Sequence, residues 1–407
     1  MSSLTSVACA ASRPARRLCT VLAAGKARRI GLTCLAALAL AAQAQAATPA
    51  QRADRALDNG LQRLTEMRGG PPGAAAVVQR GGQRRLHVAG TANLRTGRPW
   101  RARDYMRVAS TSKAFSGAVA LSLVSRGALE LDDTIGERLP DLPPAWSAVT
   151  LRQLLSHTSG LPNYTTNMGF LAHLRSDPHG FLSPRQLIDF VADDRLAFPP
   201  GSAYAYSNTD NIVIALMAEA ATGRSYDRLL RNRVYRRLGL TRTSLPTGFV
   251  LPRPFVHGYD IPSSQPPEDL STVLSMSGVW ASGAIVSTPF ELNRFMRAYA
   301  GGRLFGAGPR SQQLRFVPGA SEPPGPGTNA SGLGIFRYRT RCGTVYGHTG
   351  HFPGYTQFAA ATRSGRRSAT VSVNEQLAPP DTGPQVVFRA LRRVDALAVC
   401  AALARRR

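Results

Sequence analysis

Hydrophobic positions recur with helical spacing at both ends and through the middle of this chain, while alternating, strand-like runs lie just inside the two ends. Residues 50–68 carry Leu57, Leu61 and Leu64 three and four apart, on one helix face, and Gly69-Gly70-Pro71-Pro72 ends the run. Residues 74–79 and 84–89 read as short strands around Gly81-Gly82, a hairpin, with residues 89–94 continuing the sheet. Residues 114–124 are small and apolar without proline, and predict a helix. From about 130 to 260 the pattern is helical and loop-rich. Helices are expected at 151–157, 183–194 with Pro184 in the first turn, 212–222 and 225–238. Residues 261–280 read as a Ser/Pro-rich loop, 289–299 as a helix, and 318–332 as a Gly/Pro/Ser-rich surface connection. Strand signals return at 332–339, 344–348, 354–361 and 368–374, the last two flanking Arg363-Ser364-Gly365-Arg366. A closing helix over 384–403 sets Val386, Leu391, Val394, Leu397 and Cys400 near one face.

Strands at both ends and helices between them predict an α/β chain of the α+β type. One antiparallel sheet, built from both chain ends and flanked by the terminal helices, holds a mostly helical insertion. The sheet region takes residues 47–129 and 261–407 and the helical region 130–260, with a site expected in the cleft between them.

The first 46 residues alter this picture. Residues 1–29 hold six basic residues and no acid, an apolar run follows from 30 to 42, and Gln43-Ala44-Gln45-Ala46 suits a signal peptidase. We expect a leader over 1–46, cleavage after Ala44 or Ala46, and an exported, periplasmic or secreted product with no transmembrane anchor. The run of about 13 residues is short for a bilayer span, Arg28-Arg29 hints at twin-arginine export, and Cys34 sits too early for a lipid anchor. The whole chain has a net charge of +26; without the leader, 44 basic residues face 24 acidic ones, a net +20. The arginines are scattered and no aromatic-basic motif interleaves them, which argues against nucleic acid and for a solvated surface drawn to an anionic cell envelope. Of five cysteines, Cys9, Cys19 and Cys34 go with the leader. Cys342 and Cys400 remain, an even pair that suits a disulfide in an oxidising compartment.

The candidate chemistry centres on Ser110 and Lys113, three apart at the start of the 114–124 helix and so on one face. The chain has only two lysines, Lys26 and Lys113, and the first belongs to the leader. A serine hydroxyl needs a neighbouring base. A desolvated lysine can be that base, whereas arginine stays protonated. Tyr206-Ser207-Asn208 offers a tyrosine whose proton a nearby ammonium would loosen, and an amide that can donate and accept. His348-Thr349-Gly350 offers a tunable cation, a hydroxyl and a residue that lets a substrate approach a strand edge. Trp280 is a candidate cleft wall. His348 and His351 without a clear third ligand do not make a metal site, and no metal or cofactor is expected.

In this order, Ser110-x-x-Lys113, Tyr206-x-Asn208 and His348-Thr349-Gly350 resemble the motifs of the penicillin-recognising serine hydrolases. The resemblance is strongest to the branch holding class C β-lactamases, secreted D-alanyl-D-alanine carboxypeptidases and related esterases. Leu154-Leu155-Ser156-His157-Thr158-Ser159-Gly160-Leu161, Phe198-Pro199-Pro200-Gly201, Ser207-Asn208-Thr209 and Tyr346-Gly347 extend the likeness over roughly residues 55–400. It implies a β-lactamase/transpeptidase-like fold with Ser110 as acylated nucleophile. Lys113 and Tyr206 would share proton transfer, Asn208 would hold the acyl-side amide, and His348 and Thr349 would face the leaving side. The N–H groups of Ser110 and His351 would form an oxyanion hole. It also implies that Cys342–Cys400 ties the strand before the motif to the last helix.

Three positions depart from the pattern. His348 stands where β-lactamases of this branch carry lysine, and resembles the carboxypeptidases. His351 stands where a threonine often reaches a substrate carboxylate. Phe336, with Arg337 beside it, aligns with an arginine that reads that carboxylate, and a one-residue slip on a strand turns a side chain to the other face. The expected activity is D-alanyl-D-alanine carboxypeptidase on peptidoglycan-type peptides. The alternatives are a D-amino-acid peptidase, an esterase, a β-lactamase, or, outside enzymes, an inactive penicillin- or cell-wall-binding protein, against which the intact Ser110, Lys113 and Tyr206 argue.

Overall fold

Strands from opposite ends of the chain pair side by side in the middle of one sheet. The computed structural model describes residues 47–262, 264–378 and 385–405, and the expected leader over 1–46 lies outside them. From Thr48 onward the chain forms one unit. It opens with α1 (Pro49–Glu66), started by a capping box between Thr48 and Gln51. The strands of the main sheet are β1 (Gly73–Arg80), β2 (Gln83–Gly90), β3 (Val317–Pro318), β4 (Thr328–Ser331), β5 (Phe336–Thr340), β6 (Gly343–Phe352), β7 (Tyr355–Ala361) and β8 (Arg367–Val373). Their order is β2-β1-β8-β7-β6-β5-β4-β3, every neighbouring pair antiparallel. The join between the chain ends is β1 against β8, with Ala74 opposite Val373.

Side-chain alternation assigns the two sheet faces to two cores. Ala74, Ala76 and Val78 of β1 and Phe358 and Ala360 of β7 pack with Leu57, Leu61 and Leu64 of α1 and with α6 (Gln385–Leu403). Ala75, Ala359 and Ala361 face the larger core. That core contains α2 (Ser112–Val124), α3 (Leu151–Ser156), α4 (Asn208–Thr222) and α5 (Pro289–Ala300). Asn293 of α5 donates to Val77 O and accepts from Ser368 Oγ, fastening that helix to the sheet.

Several expectations need correction. Val386 is 56% exposed, while Val387 and Phe388 face the sheet, because the inward phase set by Leu391 and Val394 reaches back four residues to 387, not five. The sheet does not continue to residue 94: β2 ends at Gly90, where φ is +63° and the chain turns away. The helix expected over 183–194 ends at Asp189. The one over 225–238 contains a π-helical turn, Arg231–Tyr235, that brings both Val234 and Tyr235 into the core. Residues 318–332 are not a plain surface connection: β4 lies inside them, and Ser321, Pro323 and Gly325 are buried. At Gly325 a Cβ would stand 2.3 Å from the Tyr338 ring, so the glycine there serves close packing.

Cys342, in the turn between β5 and β6, is joined to Cys400 on α6, with Cα atoms 5.1 Å apart. Among the described residues no helix is long and apolar enough to cross a membrane. Replacing Cys400 with serine should lower the free energy of unfolding by about 2–4 kcal/mol. An unchanged urea midpoint would show that the bond adds nothing.

Candidate active site

Ser110 lies in a single turn, Ala109–Thr111, that runs directly into α2. Ala109 has φ +51°, a left-handed conformation that an L-residue holds at a cost of about 1–3 kcal/mol. The surroundings impose it. Val108 N donates to Ile285 O at 3.0 Å, Gln357 Nε2 of β7 donates to Arg107 O at 3.0 Å, and Ile285 N donates to Ser112 Oγ at 3.1 Å. The buried Arg107 guanidinium donates to Phe249 O and Ser271 O at 2.8 and 2.7 Å.

The turn rests against β6. Strand β5 pairs with β6 only as far as Gly347, so the Ser110 turn meets β6 beyond the end of β5. At Gly350 a Cβ would stand 2.6 Å from Ser110 N and 2.8 Å from Thr111 N, contacts that only glycine avoids.

Lys113 is 1% exposed and Ser110 8%. Lys113 Nζ donates to Ser110 Oγ at 3.2 Å, Asn208 Oδ1 at 2.7 Å and Ser282 O at 2.8 Å. Burial lowers its pKa to about 7, against the opposing pull of Glu322 and Asp210. An amine that is half neutral near pH 7, in contact with a serine hydroxyl, can take that hydroxyl's proton.

Tyr206 faces the same pair, with Lys113 Nζ 5.0 Å from its ring centre. Its Oη is buried without a hydrogen-bond partner. Ser110 stands near enough to favour the tyrosinate, yet burial dominates and holds the phenol well above its usual pKa. The expectation that the lysine would loosen this proton is therefore corrected: burial holds Tyr206 as a phenol in the resting site. Asn208 uses its amide N–H groups on Asn163 Oδ1 (3.2 Å) and Thr165 Oγ1 (2.9 Å), leaving its oxygen for Lys113.

His348 is buried, and desolvation, then Lys113, lowers its pKa to about 3. It is a neutral imidazole near pH 7, not the cation expected. Its Nδ1 donates to Thr349 O at 2.5 Å, which leaves Nε2 as an acceptor, buried and unpartnered. Phe336 packs edge-to-face on it at 5.0 Å, while Arg337 turns away and lies over the Phe316 ring at 4.7 Å. Thr349 pairs across the sheet with Phe358, on the face toward α6, and its hydroxyl donates to Pro323 O at 2.5 Å. That hydroxyl is engaged with the loop and is not open toward Ser110. His351 is neutral as well, its pKa lowered to about 4 by burial and then by Lys113. Three positions along a strand separate His348 and His351 to opposite faces, and among the described residues no group of three or more ligating side chains could hold a metal. Trp280 is buried edge-to-face against Tyr226 at 5.2 Å, at the start of the short helix whose Ser282 carbonyl accepts from Lys113.

Residue-level reading of the sequence assigned no role to the pair behind Tyr206. His157, left-handed at φ +58°, caps α3. Its Nδ1 lies 2.7 Å from Asp210 Oδ2, and Ser159 Oγ donates to Asp210 Oδ1 at 2.5 Å. His157 O accepts from Ala205 N at 3.0 Å and its ring lies 4.5 Å from that of Tyr206. Burial keeps this histidine neutral and pushes the Asp210 carboxyl up. A histidine in Ser156-His157-Thr158-Ser159-Gly160, before a glycine turn, was the signal available.

On this fold, a buried amine held against a serine hydroxyl defines the class, a serine hydrolase of the penicillin-recognising type. A family model described as beta-lactamase matches residues 50–391, and the chain belongs to that family. Penicillin-binding protein 4* of Bacillus subtilis is 29% identical over 225 residues, 52% of this chain and 48% of that protein, so the match spans about half of this curated relative. Among solved structures, a D-stereospecific amidohydrolase from Streptomyces sp. is similar with 30% identity and a TM-score of 0.73, over 83% of this chain and 98% of its own. The D-amino acid amidase of Ochrobactrum anthropi SV3, complexed with L-phenylalanine amide, is 25% identical with a TM-score of 0.74, over 84% and 97%.

Three outcomes are expected. Alanine at Gly350 should cost at least about tenfold in kcat/KM by pushing β6 off Ser110 N, and wild-type kinetics would contradict that contact. The acylation rate should rise with pH through about 7 as Lys113 loses its proton, and Lys113→Arg should be nearly inactive; a flat pH profile or an active arginine variant would remove the amine from the reaction.

Proposed function

We propose that this chain is an exported serine hydrolase that cleaves D-aminoacyl amides or peptides through an acyl-serine intermediate. Neutral Lys113 keeps two N–H bonds, to Asn208 Oδ1 and Ser282 O, and turns its lone pair toward Ser110 Oγ. It takes the serine proton as Oγ attacks the carbonyl carbon. The N–H groups of Ser110 and His351 receive the oxyanion. Tyr206, held as a phenol, gives its proton to the leaving nitrogen and is reprotonated from the Lys113 ammonium. Water then enters along the same proton route and releases the acid.

One observation carries the choice of substrate. The leaving side has Phe336 at the place of a carboxylate-reading arginine, set against a neutral His348 whose free Nε2 accepts a hydrogen bond. An acceptor suits the N–H of an amide and repels a carboxylate. This favours amidase or aminopeptidase chemistry over the carboxypeptidase reading, in line with the two D-stereospecific amide hydrolases it resembles.

Purified protein should be offered a D-amino-acid amide, an acetylated D-alanyl-D-alanine peptide, a chromogenic cephalosporin and a small ester, each with a Ser110→Ala control. The amide should give the highest kcat/KM and the control none. A higher value for the D-alanyl-D-alanine peptide would return the carboxypeptidase reading, and a labelled-penicillin adduct surviving in Ser110→Ala would displace the nucleophile.

A further inference from the structure

The loop between β3 and β4 holds a carboxylate that the mechanism does not use. Glu322 precedes Pro323, whose carbonyl accepts from Thr349 Oγ1 at 2.5 Å and Ser321 Oγ at 3.2 Å. On its other side, Ala320 O accepts from Tyr204 Oη. Glu322 is thus pinned between β6, one residue from His348, and the segment carrying Tyr206. It is exposed and forms no ion pair among the described residues. Its charge nevertheless acts on Lys113, Tyr204 and Tyr206. The carboxyl lies deep enough for burial to push its pKa up, with Lys113 opposing.

The charges around this spot are one-sided. Lys113 and His157 act on His348, Lys113 alone acts on His351, and both imidazoles are neutral near pH 7. Arg337 lies over Phe316 instead of entering the set. The Lys113 amine is already engaged with Ser110 Oγ, Asn208 Oδ1 and Ser282 O. An incoming leaving group therefore meets a carboxylate that no arginine pairs among the described residues and that only the buried Lys113 opposes. In the mechanism above, Tyr206 hands its proton to the leaving nitrogen, so groups beside Tyr206 face the leaving portion of the substrate.

We propose that Glu322 is a specificity residue that sorts leaving groups by charge, favouring amides whose leaving portion is cationic and disfavouring those with a carboxylate beside the scissile bond. This rests on the proposed acyl-serine reading of the site and narrows its substrates to D-aminoacyl amides of basic residues or amines. It reverses the charge preference of a carboxypeptidase.

The test uses three aryl acetates with the same neutral acyl group: phenyl acetate, 4-(aminomethyl)phenyl acetate and 4-carboxyphenyl acetate. Wild-type protein, Glu322→Gln and Glu322→Lys are compared at one pH, about 8. The quantity read is the kcat/KM ratio of the cationic to the anionic ester. The wild-type ratio is also followed as pH is lowered, where protonating the carboxyl should bring it toward that of Glu322→Gln. Differences in phenol reactivity and in the Lys113 pKa cancel when this ratio is compared between variants. It should fall about fivefold in Glu322→Gln, as for an exposed charge pair, fall further in Glu322→Lys, and shrink with added salt in wild type. A ratio unchanged in both variants overturns the proposal. Because the esters contain no D-amino acid, the two readings fail separately. A shifted ratio with no D-aminoacyl amide cleaved sinks the substrate reading and leaves charge selection standing. Cleaved amides with an unchanged ratio do the reverse.

Discussion

The structure depends on keeping one ammonium out of water. Lys113 is the only lysine after the expected leader, and it is buried without a carboxylate in direct contact. Burying a charge in this way is costly, and lowering the pKa is how a protein meets that cost. Neutral oxygens from three segments surround the amine: Ser110 in its own turn, Asn208 at the start of α4, and the Ser282 carbonyl. Each is itself held, Asn208 by Asn163 and Thr165, and the Ser110 turn by Gln357 and Ile285. Asp210 lies near enough to oppose the lowered pKa, but it is engaged with His157 and Ser159. The helical insertion and the sheet thus serve the same end, a buried lysine whose pKa is lowered to about 7.

The parts of this design that were legible in the sequence are those carried by local chemistry. Ser110 and Lys113 declare themselves because three residues on a helix is a contact distance, and a lone lysine in an arginine-rich chain stands out. The strands were legible because β1, β7 and β8 carry apolar or alternating runs bounded by turn residues. What failed depended on packing partners far away in sequence. The glycines of 318–332 read as exposure because composition cannot distinguish a residue that is small for flexibility from one that is small for contact with Tyr338. The hydrophobic set of α6 was placed one residue out of phase at Val386. His157 and Asp210 lie 53 positions apart, and only the folded chain joins them.

The polarity of the leaving side shows how a family pattern can be kept in outline and changed in charge. His348 occupies the first position of its motif, but its Nδ1 is tied to the backbone and burial keeps it neutral. Phe336 puts an aromatic edge where a guanidinium would need solvent or a partner. Thr349, the second position, spends its hydroxyl on the Pro323 carbonyl, and so fixes the loop that carries Glu322. On the proposed reading of the site, these small changes together exchange an anion-reading surface for one that offers hydrogen-bond acceptors and a negative charge.

The pairing of β1 with β8 has a consequence in time. Ala74 waits for Val373, and the Ser110 turn waits for Gly350 and for Gln357, about 240 residues further along the chain. Until β6, β7 and β8 have been made, β1 has a neighbour on one side only and the strained turn at Ala109 lacks Gly350 and Gln357 beside it. A growing chain therefore carries its serine and its lysine without a site to put them in. On the proposed reading, the site is complete only once β6, β7 and β8 have closed the sheet on β1 and on the Ser110 turn.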